Sequence, residues 1–180
     1  MERAQRLDPL SRNVAYNKRY LLLWAGEYDE AQEAFEDLTR SDPDFYLGWE
    51  GFAEALTVGG RHEEALEVLI PAMVHARPDY DWPFGLLGFL YGRLGQRADA
   101  QRQLERIDEL AASGTYVSPV IKALAYAGLG EVDEAFAWLD RAYEERAHWL
   151  IWLGANPHFR GSLSHDQRFT DLLRRMNLLE

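Results

Sequence analysis

The chain has 180 residues, with 19 basic and 30 acidic side chains and a formal net charge of -11 at pH 7, a balance that repels nucleic-acid phosphates and argues against a nucleic-acid partner. Cysteine is absent, which excludes disulfides and thiolate metal sites. The first residues are charged, and the longest apolar run, near Trp149 to Ala155, falls far short of the roughly 20 residues that span a bilayer. An acidic protein without membrane attachment, cytoplasmic by default, is the expectation.

The first eleven residues read as the end of something. Arg3 to Leu10 resembles Glu36 to Asp44, and Pro9 precedes Pro43 by 34 residues. Residues 1–11 are therefore expected to be the second helix of an incomplete unit, which predicts either further sequence upstream or a partner over this edge. From there a glycine followed five residues later by an alanine recurs as Gly26 and Ala31, Gly60 and Ala65, Gly95 and Ala100, Gly130 and Ala135. The alanines stand 34, 35 and 35 residues apart. Each glycine falls where a helix must end in a tight turn, because glycine tolerates a left-handed cap. Each alanine opens a second helix and lets it approach its neighbours closely. Between these landmarks, segments such as Tyr28 to Phe35 and His62 to Leu69 place apolar residues at three- and four-residue intervals, the mark of one buried helical face. A two-helix unit of this size gains a core only by stacking on others.

The chain resembles tetratricopeptide repeats. The second unit carries the likeness best, with Trp49, Phe52, Ala53, Leu56, Gly60, Ala65, Leu69, Ala72 and Pro78. Ala15, Leu22, Gly26, Ala31, Phe35, Leu38 and Pro43 follow the same pattern in the first unit; Phe84, Leu87, Gly88, Tyr91, Gly95, Ala100, Leu104 and Ile107 in the third; Ala123, Tyr126, Gly130, Ala135, Leu139 and Ala142 in the fourth. Two residues depart from it: Arg19 stands where a small residue belongs, and Pro119 where a large apolar one does. The resemblance implies an all-α fold, a right-handed superhelix of antiparallel helix pairs in a single array. Its repeats would span 12–45, 46–79, 81–114 and 116–149, and a C-terminal cap 150–180.

The tail, with Asn156-Pro157-His158-Phe159, Asp166 and the stripe Phe169, Leu172, Leu173 and Met176, resembles the ending of many bacterial proteins of this kind. Their repeats often follow a DNA-binding, kinase or nucleotide-cyclase domain. Asp166 is placed to cap a last helix that seals the array. The other reading is a tail folded back into the array's own groove.

The resemblance also implies which residues face that groove. Among them Asn13, Tyr16, Tyr20, Trp24, Glu50, Glu54, Trp82, Phe89 and Arg93 form the candidate partner-binding surface. The lysine and arginine clamp with which some family members hold acidic chaperone tails is missing, since Tyr16, Tyr20, Glu50 and Glu54 occupy those positions. The expected partner is a protein or peptide with an apolar segment and a basic residue near Glu50 and Glu54. The plainer alternative makes those two glutamates a solvated stripe one helical turn apart. Trp49, Phe52, Phe35, Phe136 and Trp138 are read as core.

Catalytic motifs are thin. None of the five histidines belongs to an HExxH helix, and no phosphate loop or nucleophile elbow occurs. His158, His165 and Asp166 come closest to a metal set but lack ligand spacing. The expectation is an interaction module with no catalytic residue, metal or cofactor. A second reading makes it a scaffold that self-associates through its open N-terminal edge or aromatic face.

Overall fold

The computed structural model describes residues 8, 11–77 and 80–179. Ten α-helices succeed one another among them, with no strand: α1 Arg12–Ala25, α2 Tyr28–Ser41, α3 Tyr46–Val58, α4 His62–Ala72, α5 Trp82–Arg93, α6 Arg97–Ala112, α7 Pro119–Leu129, α8 Val132–Glu144, α9 Pro157–Leu163 and α10 Gln167–Arg175. Short 3-10 turns cover Met73–His75 and His148–Trp152. The first eight helices pack as consecutive hairpins, the pairing of a tetratricopeptide-like repeat solenoid. The expected end of a preceding unit, 1–11, lies outside the described residues apart from Asp8 and Ser11.

The turn inside each hairpin is set by local chemistry. Gly26, Gly60, Gly95 and Gly130 have φ of +86°, +77°, +72° and +72°, values that cost other L-residues energy. In each case the next N–H donates to the carbonyl five residues back: Glu27 to Leu22, Arg61 to Leu56, Gln96 to Tyr91 and Glu131 to Tyr126, at 2.8 to 3.0 Å. This closes the end of the helix and starts the return helix in a fixed direction. The four alanines that follow are fully buried.

The chain divides into two compact units, Met1–Arg77 and Pro78–Glu180. In the first, Leu23, Ala31, Phe35, Leu38 and Ala55 form the core, with Tyr16, Tyr20, Phe45 and Phe52 packed on it. Arg19 fits here without a small residue's help: its Nε–H donates to the Ala34 carbonyl at 2.6 Å and a terminal N–H to the Ala15 carbonyl at 2.9 Å. Partial burial lowers its pKa, and the two carbonyls supply the polar contacts a buried guanidinium needs.

In the second unit α5 and α7 meet backbone to backbone. A Cβ added at Gly128 would overlap the Cα and carbonyl of Phe89, and one at Gly92 the backbone of Gly128 and Leu129. Pro119 starts α7 at its first turn, where a missing N–H costs nothing. The tail is more than a single cap. α9 packs on α7, while α10 runs along α8 through Arg168–Asp133 and Arg175–Asp140, pairs 35 residues apart. Their guanidiniums lie over Phe136 and Tyr143 at 4.4 and 4.3 Å. Asp166 caps α10 by accepting from the Arg168 N–H, and Phe169, Leu172 and Leu173 are buried in the core of this unit.

Candidate partner-binding surface

In the first unit, Tyr16, Tyr20 and Trp24 follow one another at four-residue intervals and so share a face of α1. Their rings form a continuous ladder: Tyr16 and Tyr20 are 5.3 Å apart, Tyr20 and Trp24 5.0 Å and nearly perpendicular. All three are half-buried, and Asn13, one turn before Tyr16, is exposed. Phe35 supports the ladder from α2, 5.9 Å from Tyr16 and 6.3 Å from Tyr20.

Glu50 and Glu54 are each only 1% exposed, so the reading of a solvated acidic stripe is corrected. Packing against α1 has moved both carboxylates into the interior, where each needs donors. Tyrosine hydroxyls supply one to each, and one buried Glu50 oxygen has no hydrogen-bond partner among the described residues. Tyr20 donates to a Glu54 carboxylate oxygen at 2.5 Å, a charge-assisted geometry, and the Tyr16 hydroxyl is hydrogen-bonded to Glu50. Burial first, and the neighbouring carboxylates second, push the pKa of Tyr16 and Tyr20 well above the ordinary tyrosine value. Tyr46 is raised by the same causes, with Glu50 its strongest charged neighbour. The sequence reading passed over Tyr46, although its place one turn before Glu50 on α3 was visible.

In the second unit, Trp82 and Phe89 are 3% and 5% exposed. Trp149 covers Trp82 with ring centroids 5.0 Å apart, and His158 lies 5.1 Å from Phe89. Asn156 aims this contact: its side-chain oxygen accepts from the His158 and Phe159 N–H groups at 3.0 and 3.3 Å, capping α9. The chain's own C-terminal segment therefore occupies the face that Trp82 and Phe89 were expected to offer a partner. No period in the sequence announced Trp149 or His158 as the cover. Arg93, one turn after Phe89, stays exposed. The His158, His165 and Asp166 set is not assembled, because His158 is buried while His165 is exposed.

Asp81 ties the second unit together at the start of its two inner helices. It is 8% exposed and accepts from the Ser118 N–H at 3.1 Å. Desolvation raises its pKa, and that backbone bond opposes the shift.

Stacked helical hairpins with glycine-capped turns and an aromatic inner face define a helical-repeat protein. Residues 20–79, one third of the chain, match the tetratricopeptide repeat family. Neither a curated protein nor a solved structure matches the chain. The matched third coincides with most of the first unit, and repeats of this family generally mediate contacts between proteins. Among the described residues no helix is long and apolar enough to cross a membrane.

Proposed function

We propose that this chain is a non-catalytic protein-interaction module whose binding face is the aromatic ladder of α1. The single observation behind this reading is the run Tyr16, Tyr20 and Trp24, half-buried with each ring in contact with the next, with exposed Asn13 and a 44%-exposed Leu21 on the same helix. A partner's apolar segment, helical or extended, covers these rings and gains by removing them from water. The Glu54 and Glu50 acceptors hold the tyrosine rings from behind and lower the ordering cost of binding. The basic residue of the partner does not reach Glu50 or Glu54, which are already enclosed. Arg93 is exposed, whereas the covered pair Trp82 and Phe89 contributes only where the C-terminal segment gives way. The likeness of the tail to bacterial regulators is the one support for placing the module inside a larger cytoplasmic regulatory protein.

Selection from a displayed peptide library on the parent chain and on Trp24→Ala tests this. Peptides with two or three large apolar residues should be enriched on the parent and lost on the variant, whose helix content is verified by circular dichroism. A Glu30→Ala control at an exposed position on α2, off the helix that carries the ladder, should bind as the parent does. No enrichment on the parent, or equal enrichment on Trp24→Ala, overturns the reading.

A further inference from the structure

A second feature of the first unit lies off the α1 face. The loop between α2 and α3, Trp49 of α3, and one side of α4 enclose a cleft of about 350 Å³, within the size range of small-ligand sites. Trp49 forms one wall and is held there because its indole N–H donates to the Pro43 carbonyl at 2.7 Å. Val68 and Pro71 supply apolar surface, Asp44 and Glu67 bring carboxylates to the same cleft, and His75 completes its lining. Pro71 lies inside α4 and has no N–H to return to the Glu67 carbonyl one turn earlier. The cleft thus combines an aromatic wall, aliphatic surface and two carboxylates beside a single imidazole. Among the described residues, neither Asp44 nor Glu67 takes an ion pair with an arginine, lysine or histidine of the chain, whereas the neighbouring Asp42 is paired with Arg12.

We infer that this cleft binds an arginine side chain presented by a partner peptide. A guanidinium is planar, lies flat on an indole, and directs its N–H groups outward in its own plane toward carboxylates and carbonyls. Its three methylenes match the Val68 and Pro71 surface. A carboxylate-bearing ligand would meet two like charges, and a purely apolar one would leave both carboxylates partly desolvated without a partner. The site is separate from the ladder on α1 and does not rest on that reading.

The test uses the full chain, N-acetyl-arginine amide, and its neutral isostere N-acetyl-citrulline amide. The readout is the NMR resonance of the Trp49 indole N–H, assigned by its loss in Trp49→Phe. The arginine probe should shift it saturably and the citrulline probe should bind about tenfold more weakly. Asp44→Asn and Glu67→Gln, both at exposed positions, should each weaken arginine about threefold, and added salt should weaken it further. Equal shifts from both probes, arginine binding unchanged in the double variant, or no saturable shift at all overturns the inference. Parent-like circular dichroism of the variants confirms that folding is intact.

Discussion

The two units build their inner faces from the same repeat pattern by opposite means. In Met1–Arg77 the inner helices α1 and α3 are joined by polar groups, with buried Glu54 accepting from the Tyr20 hydroxyl and buried Glu50 hydrogen-bonded to Tyr16 under a half-exposed aromatic ladder. In Pro78–Glu180 the inner helices α5 and α7 have no side chain between them at Gly92 and Gly128, and the chain's own tail lies on Trp82 and Phe89. The repeat pattern fixes helix ends and the small residues where helices touch. It leaves the inner positions free, so one unit leaves its aromatic rings half-exposed while the other covers its own.

The largest effect is expected where backbone meets backbone. Gly128→Ala puts a methyl group into the main chain of Phe89, which cannot move aside as a side chain can, so we expect a loss of about 3 kcal/mol or more. Gly51→Ala in the first unit meets only the ring of Phe35 and should cost visibly less. Urea unfolding of both variants followed by circular dichroism makes the comparison; equal losses would show that the α5–α7 contact is looser than its geometry.

Next comes the polar interior. Tyr20→Phe removes the hydroxyl that donates to buried Glu54, and a hydrogen bond to a charged acceptor is worth about 2 kcal/mol. Raised tyrosine pKa values also set a pH dependence. Above about pH 10 the unfolded chain loses tyrosine protons while Tyr16, Tyr20 and Tyr46 keep theirs in the fold. The unfolded state then binds fewer protons, and stability falls as pH rises. Tyr20→Phe should therefore be less stable than the parent at neutral pH and lose stability less steeply in alkali. A parallel pH profile would place the Tyr20 hydroxyl in water.

The smallest effects lie at the turns and should not distinguish the units. Gly95→Ala forces a methyl-bearing residue to a φ of +72°, at a cost of about 1 kcal/mol. Arg146 already sits at +54° after α8, so Arg146→Gly should gain about 0.5 kcal/mol, the relief of strain being partly offset by the freer unfolded chain. Thermal melting checks both signs.

Much of the fold was legible because it is written locally. Gly26, Gly60, Gly95 and Gly130 end helices through their own backbone freedom, Asp166 starts the last one, and Ala31, Ala65, Ala100 and Ala135 mark close approach by size alone, whereas Pro119, a departure from the repeat pattern, opens α7. The candidate site was legible only as a set of positions. The family resemblance put Tyr16, Tyr20 and Trp24 on the inner face of one helix, but Glu50 and Glu54 looked solvated because four-residue spacing says which residues share a face and nothing of what covers it.

The sequence by itself determined the helices, their turns and the order in which they pair, since each depends on residues within about one repeat. Only the tertiary structure decided that two acidic side chains turn inward under tyrosines, that Arg19 fits by finding the carbonyls of Ala15 and Ala34, and that Trp149 and His158 lie on Trp82 and Phe89. Those outcomes hinge on the desolvation of polar groups and on contacts between segments distant in sequence. Both depend on where the packed helices leave donors, acceptors and apolar surface uncovered, and no local pattern specifies that.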